Sequence, residues 1–315
     1  MSDFNQNGPR VSRADFLKIL GAGAAGAAVM GSGVGTGHAA MKISTRPIPS
    51  TGERIPIVGV GTYKRFNVGE SAEERAPIKK VLQVLFEQGS NLIDTAPMYK
   101  RSETVVGDLL RELKLTDKAW IATKVRTKGK ENGLKSYDMS EKLLGKGSIN
   151  LMQIHSLVDW EVHYPVIREM KQAGRWKYIG LTHSKDAAHE KFAAAISKEK
   201  FEFGQINYSI MERSAAKRIL PIAADKGMAM LINEPYNKAA VFKKVKGKAL
   251  PDWSKEFCSS WGQFFLKYCL SHPAVTAVIP ATSKPKHMLD NAGAGFGRMP
   301  DAKERKKMEE FWDSL

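Results

Sequence analysis

Four polar side chains in this sequence fall where one chemistry needs them: Asp94, Tyr99, Lys124 and His155. Asp94 ends the run Leu92-Ile93-Asp94, Lys124 ends Ala122-Thr123-Lys124, and His155 ends Gln153-Ile154-His155, at intervals of 30 and 31 residues. Tyr99 follows five residues after Asp94. A tyrosine hydroxyl titrates at about 10, too high to release a proton readily at neutral pH. A lysine cation beside it stabilises the phenolate and lowers that value, and an aspartate beside the lysine keeps the cation charged and oriented. A histidine donates a hydrogen bond to an oxygen on which negative charge develops. Such a set suits a reaction that makes an alkoxide needing a proton, as when hydride adds to a carbonyl. None of the four supplies hydride, so a redox cofactor is required. Taken singly, an aspartate at a strand end reads as a cap, and a histidine in an apolar strand as a hydrogen-bonded core residue. Recurrence on three neighbouring strands, at expected equivalent heights, favours the catalytic reading.

The elements that must hold these residues alternate. Apolar runs at Ile57–Thr62, Asn91–Ala96, Ala119–Val125, Asn150–His155, Tyr178–Ser184, Phe203–Ser209, Met228–Pro235 and Val275–Thr282 read as strands buried on both faces. Helix-like segments lie between them at Ala72–Gln88, Ser102–Lys114, Met139–Leu144, Glu161–Ala173, Ala187–Lys198, Ala215–Lys226, Cys258–Leu270 and Lys286–Ala294, and Lys303–Glu310 adds a charged helix. Eight strands alternating with eight helices predict a parallel sheet closed on itself, a (β/α)8 TIM barrel with its active site at the carboxyl ends of the strands. An open doubly wound sheet competes, but Gly59-Val60-Gly61 lacks the third glycine of its phosphate loop. Met41–Pro56 reads as an N-terminal β-hairpin turning at Pro49-Ser50-Thr51-Gly52. Residues 41–315 thus form one barrel domain, close to the roughly 250 residues such a barrel takes.

Residues 1–40 are different. Arg10, Arg13 and Lys18 precede a stretch from Ile19 to Ala40 without Asp, Glu, Lys or Arg, in which seven of 22 residues are glycine. Glycine at that density disfavours a membrane-spanning helix. The order of basic, apolar and small residues predicts a removable export signal cut after Ala39; a disordered tail is the alternative. Export places the protein in the periplasm, and its failure in the cytoplasm.

The whole chain has a formal net charge of +16, from 49 basic and 33 acidic residues. The basic residues are scattered and no nucleic-acid-binding motif is present, so a well-solvated surface is expected rather than a nucleic-acid partner. Two cysteines exclude a disulfide scaffold. The seven histidines form no His-x-x-x-His set, and no metal is expected.

Ile93-Asp94-Thr95-Ala96-x-x-Tyr99-x-x-Ser102-Glu103-x-x-x-Gly107, followed by Lys124 and His155, resembles the aldo-keto reductase superfamily, and the similarity runs from about Arg54 to Asn291. Ser12-Arg13-Ala14-Asp15-Phe16-Leu17-Lys18 resembles a twin-arginine export signal, with Ala14 where the second arginine belongs. The family resemblance implies NADPH-dependent reduction of a small-molecule aldehyde or ketone, with NADH a weaker donor, by a monomer or weak oligomer. It implies that Tyr99 is the proton donor, Lys124 and Asp94 its tuning pair, and His155 the substrate-orienting residue. Lys100 stands where family members usually have glycine.

On the cofactor side the resemblance implies Thr62 and Asp94, then Thr182 and His183 in place of the family's Ser-Asn pair at the nicotinamide amide, and Gln205 as the third amide ligand. Asn233 aligns with the tyrosine that stacks on the nicotinamide. The stretch through Pro280, Ala281, Thr282, Ser283, Lys284, His287, Asp290 and Asn291 resembles the family's adenosine-end segment. Positions where the family grips the 2′-phosphate hold Ala281 and His287, leaving Lys284 as the replacement cation. Thr282 and Ser283, just before a helix start, offer hydroxyls and backbone N–H groups to a phosphate; a plain capped helix start is the alternative. Tyr63, Phe66, Trp160 and Tyr236 read equally as walls of an apolar substrate pocket or as packing. The short chain after the last helix predicts an open mouth. A different outcome on the same barrel is a cofactor-binding regulatory subunit, like the potassium-channel β subunits, but the complete tetrad favours an enzyme.

Overall fold

The computed structural model of the protein describes Lys42–Leu315 apart from Lys146 and Ser148. The expected export signal lies outside the described residues.

A hairpin of β1 (Thr45–Pro47) and β2 (Arg54–Pro56) precedes an eight-stranded parallel sheet. The sheet runs in chain order through β3 (Val60–Gly61), β4 (Leu92–Asp94), β5 (Trp120–Val125), β6 (Ile149–His155), β7 (Tyr178–Thr182), β8 (Phe203–Asn207), β9 (Ala229–Asn233) and β10 (Ala277–Val278). Bridges Val58↔Val278 and Gly61↔Ala281 join the first strand region to the last and close the barrel. A side chain at Gly61 would place its Cβ 2.7 Å from the Ile279 carbonyl oxygen, so the closing seam needs a glycine there.

Around the sheet lie α1 (Ala72–Glu87), α2 (Ser102–Glu112), α3 (Lys130–Leu144), α4 (Trp160–Gln172), α5 (His189–Lys198), α6 (Ile219–Asp225), α7 (Ala240–Lys244), α8 (Trp261–Leu270), α9 (Pro285–Gly293) and α10 (Ala302–Ser314). In α1, Ser71 caps the Glu74 N–H, and Ile78, Val81, Leu82 and Leu85 recur at helical spacing on its buried face. The third helix is longer than its sequence expectation of Met139–Leu144, because its buried positions Gly133, Tyr137, Ser140 and Leu144 keep helical spacing but include a glycine and a serine, so no apolar stripe shows in the sequence. The eighth begins at Trp261, so Cys258 precedes it; Cys258 and Cys269 are both free and buried.

Two cores result. One joins the outer barrel wall to the helices. The second, inside the barrel, stacks Trp120, Tyr178 and Phe203 with Leu92, Leu151 and Leu231. Ile48 and Ile55 of the hairpin belong to this inner core. Glu53 of the hairpin accepts from Trp120 Nε1 (3.2 Å) and the Tyr178 hydroxyl (2.8 Å), residues at the amino ends of their strands. The hairpin therefore seals that end, and the carboxyl ends are left to build a site.

Candidate active site

Backbone strain marks those carboxyl ends. Among the described residues ten non-glycine residues have positive φ, and nine lie in loops that follow barrel strands: Lys64, Lys100, Ser156, Leu157, Asp159, Glu234, Asn237, Lys238 and Ala239. Conformations that disfavour side chains persist where surrounding structure imposes them, and they gather at working sites.

Asp94, Lys124 and His155 all reach this end. Lys124 pairs with Gln153, and His155 with Thr182, while Asp94 pairs with Ala122. Each functional residue is thus two positions beyond the partner of the one before. The set climbs the barrel rather than lying at one height, because a step of two keeps all three on the inward face while strand tilt takes up part of the stagger.

Lys124 Nζ donates to Asp94 Oδ2 at 2.7 Å and to the Thr95 carbonyl at 2.8 Å, both groups almost fully buried. Burial opposes its charge, but Asp94 and Tyr99 outweigh it and hold the lysine pKa above the ordinary value. Gln205 Nε2 donates to Asp94 Oδ1 at 2.7 Å, and Thr182 Oγ1 donates to Gln205 Oε1 at 3.1 Å. Lys124 Nζ lies 5.1 Å from the centre of the Tyr99 ring, which meets His155 edge-on at 5.9 Å and Tyr63 at 5.0 Å.

Burial raises the Tyr99 pKa and outweighs the lowering by Lys124, so the resting phenol is protonated and the lysine only limits the rise. The expected net lowering is not what this enclosed site produces. Burial, with the cations Lys124 and Arg126, pushes His155 down to about 3. Its ring is therefore neutral at ordinary pH, a hydrogen-bonding group and no reservoir of protons.

The remaining motif residues position Tyr99. Ser102 Oγ donates to the Tyr99 carbonyl at 2.8 Å. Buried Glu103 accepts from Thr123 Oγ1 at 2.5 Å and Ser140 Oγ at 3.2 Å, tying α2 to β5 and α3. A Cβ on Gly107 would lie 1.9 Å from the Leu143 carbonyl oxygen, so α2 and α3 approach too closely for any side chain.

Lys100 has φ 57° and ψ −115°, and Arg101 follows at φ −80° and ψ −1°. These are the central angles of a type II′ turn, whose first position favours glycine. A side chain there costs about 1–3 kcal/mol, while glycine loses roughly 0.5–1 kcal/mol to unfolded-state entropy. Lys100→Gly is therefore expected to stabilise the protein by about 1 kcal/mol, raising Tm by roughly 2–4 °C. An unchanged or lower melting temperature rules out strain at this turn.

The cofactor-side residues form two groups. Thr182 and Asn233 end β7 and β9, and Gln205 lies in β8 between them, opposite Thr182 in the ladder; Thr62 Oγ1 donates to Thr95 Oγ1 at 2.9 Å beside Asp94. Asn233 Nδ2 donates to the His183 carbonyl at 3.0 Å, and His183 Nδ1 accepts from the Lys185 N–H at 3.1 Å. Asn233 Oδ1, Gln153 Oε1 and His155 Nδ1 are buried without a hydrogen-bond partner. Unmet polar atoms beside amide side chains fit a ligand that carries a carboxamide.

The second group surrounds α9. Pro280 is buried and Ala281 exposed, and Thr282 Oγ1 accepts from the Lys284 N–H at 3.1 Å. Ser283 is half-buried. Burial and the charges of Lys284, Lys286 and Arg65 lower the His287 pKa, with Asp290 opposing. Asp290 is held by Ser260 (2.9 Å) and Gln263 (3.0 Å), and Asn291 accepts from the Tyr236 hydroxyl at 2.6 Å. The charges of three cations thus bear on His287, where the sequence had singled out Lys284 alone. Arg65 comes from the loop after β3, more than 200 residues away in the chain, and only barrel closure brings it here. A cationic cluster of this kind fits a phosphate-bearing nucleotide.

The four aromatics divide. Tyr63 is 51% exposed beside Tyr99, whereas Phe66 is fully buried in the outer core. Trp160 lies under Lys198 Nζ at 5.5 Å, and Tyr236 packs on Phe242 at 4.9 Å. Among the described residues no group of His, Cys, Asp or Glu is arranged to hold a metal ion, and no helix is long and apolar enough to cross a membrane.

Comparison with known proteins agrees with this geometry. The profile of the Aldo/keto reductase family matches residues 57–313. The chain is similar to aldo-keto reductase YhdN of Bacillus subtilis, 27% identical over 200 residues that span 59% of this chain and 60% of that protein. It is also similar to methylglyoxal reductase YeaE of Escherichia coli, 24% identical over 246 residues covering 76% and 84% of the two chains. An aldo-keto reductase from Klebsiella pneumoniae, solved in complex with NADPH, shares the fold with a TM-score of 0.72 and 19% identity, over 86% of this chain and 96% of that one. With the family profile spanning the whole barrel, and three strand-end residues and Tyr99 gathered at its carboxyl end, the chain belongs to the aldo/keto reductase family.

Proposed function

We propose that this protein reduces an aldehyde or ketone to an alcohol, using NADPH and a proton from Tyr99. The observation that carries the reading is the buried Asp94–Lys124 pair beside a phenol that burial keeps protonated, next to a histidine that cannot serve as the acid.

When bound, NADPH supplies the hydride. Thr182, Gln205 and Asn233 hold its carboxamide end, and Arg65, Lys284 and Lys286 its phosphate end. Asp94 keeps Lys124 charged, and Gln205 fixes the carboxylate from the other side. His155 gives a hydrogen bond to the carbonyl oxygen and sets its position. Tyr99 transfers its hydroxyl proton as negative charge builds on that oxygen, and the adjacent ammonium stabilises the phenolate left behind. NADPH oxidation followed at 25 °C with a panel of simple aldehydes tests the reading; no turnover with any of them, under conditions where NADPH binds, would overturn it.

A 2′-phosphate shared by Arg65, Lys284 and Lys286 is expected to make NADPH preferred over NADH by roughly ten- to a hundredfold in kcat/KM. Arg65→Ala and Lys284→Ala each remove part of that preference, and the double variant most of it, through KM for NADPH. Equal losses with both cofactors would mean that these side chains support the loops and do not read the phosphate.

We also propose that residues 1–39 are removed on export. A cut after Ala39 leaves every described contact in place, beginning with the Ile43 N–H on the Gln88 carbonyl. Protein recovered from the envelope fraction of an expressing bacterium is expected to begin at Ala40, and Ala14→Arg to increase that fraction. Uncut protein confined to the cytosol in both cases argues against export.

A further inference from the structure

Thirteen arginines fall among the described residues, and eleven of them make a hydrogen bond, an ion pair or a ring contact. The side chains of Arg65 and Arg126 make none. Arg65 belongs to the cofactor cluster. Arg126 stands in the loop after β5, two strands round the barrel mouth from Arg65, and has no part in the mechanism above.

Its place follows from the strand register. Lys124 pairs with Gln153 and Val125 with Ile154, so Arg126, one residue on, comes level with His155. Two residues beyond Lys124, it lies on the inward side of the extended chain. It is exposed, and its charge bears on the rings of both His155 and His183. The charges that act on His155 are Lys124 and Arg126 together with His183, and no carboxylate is among them. Lys124 is neutralised by Asp94, whereas Arg126 is not neutralised. Asp186, the carboxylate in the loop that carries His183, is committed to Ser214 Oγ at 2.6 Å and to the Asn207 amide. Apolar side chains stand on the two loops before Arg126: Tyr63, after β3, is 51% exposed, and Met98, in the Tyr99 loop after the neighbouring β4, is 49% exposed.

A free guanidinium beside the residue that orients the carbonyl oxygen, with apolar side chains on the neighbouring loops, matches a substrate with a short carbon skeleton and an anionic end. We propose that Arg126 receives a carboxylate carried by the substrate, so that the preferred carbonyl compounds are oxo acids. This rests on the reductase reading above and specifies its substrate class. Neighbouring strands lie about 4.8 Å apart, so the Arg126 and His155 side chains start one strand spacing from each other, close enough for one small molecule to meet both. The planar fork of arginine suits two parallel hydrogen bonds to a carboxylate.

The test compares meta- and para-carboxybenzaldehyde with their methyl esters, using NADPH and one preparation of each enzyme. The acid-to-ester ratio of kcat/KM cancels any loss of fold or of cofactor binding. The acids are expected to be favoured by roughly 10–100-fold. Arg126→Ala brings the ratio to about one, and Arg126→Lys keeps part of it, since it retains the charge and loses the fork. Rising salt narrows the wild-type ratio, because an exposed charge is screened. Equal rates for acid and ester in the wild type overturn the proposal, and so does a preference that survives Arg126→Ala. Turnover of the esters alone leaves the reductase reading standing while rejecting the oxo-acid class; turnover of neither rejects both.

Discussion

Tyr99→Phe is expected to lower kcat/KM for carbonyl reduction by about 10²–10⁴-fold, the range for loss of a general acid. The ring remains, so its contacts with His155 and Tyr63 are kept, and only the transferable proton is gone. His155 cannot take over, because its neutral ring would have to protonate far below physiological pH before it became an acid. NADPH affinity, measured by fluorescence quenching, is expected to hold within about twofold, since none of the phosphate- or amide-binding groups is touched. Near-normal turnover in this variant would remove Tyr99 from the mechanism. The same assignment fixes the acid side of the pH profile. With His155 at about 3 and Tyr99 raised, neither group titrates between pH 5 and 8, so kcat/KM for reduction shows no acid limb from either in that window.

Breaking the Asp94–Lys124 pair has the second large effect, and it reaches stability as well as rate. Asp94→Ala leaves the lysine ammonium in a fully enclosed site with the Thr95 carbonyl as its remaining main partner. Removing one member of a buried pair costs about 3–5 kcal/mol. The lysine escapes part of that cost by losing its proton, which withdraws the charge from Tyr99. Lys124→Met tests the electrostatic role more cleanly, because Gln205 and Gln153 still hold the carboxylate. The rate falls, and the basic limb of the pH profile moves upward, since the group that lowers the Tyr99 pKa is gone. A merely structural lysine would lower stability without moving that limb. Wild-type linkage has a definite sign. A lysine pKa raised by folding stabilises fully below its ordinary value near 10.5 and is lost only as pH rises through the folded-state value. Urea denaturation from pH 6 to 9 should therefore report the contribution of this group as constant.

Much of this was legible in the residue order. Alternation of buried strand runs with helical periodicity yields the barrel, because burial on both faces and burial on one face leave different short-range patterns. The 30- and 31-residue spacing of Asp94, Lys124 and His155 reflects one β/α unit each, and that is a property of the chain itself. Ser102, Glu103 and Gly107 were visible as a motif, but their work was not. The carbonyl, hydroxyl and helix backbone they meet belong to other elements.

What the sequence determined by itself is the barrel and the end of it at which Asp94, Tyr99, Lys124 and His155 gather. Tertiary structure decided the rest. It made Lys100 the strained position of a type II′ turn, sent Phe66 into the core, and set Gln205 on Asp94 across 111 residues. It also decided which cations stay free. A basic residue looks the same in sequence whether or not a carboxylate reaches it, and that depends on loops distant in the chain. Arg175 finds Glu141 and Asp138 on α3, while Arg65 and Arg126 find no acid and face the mouth of the barrel. Local pattern selects secondary structure because it depends on neighbours three or four residues away, whereas the pairing of a charge depends on closure of the whole barrel.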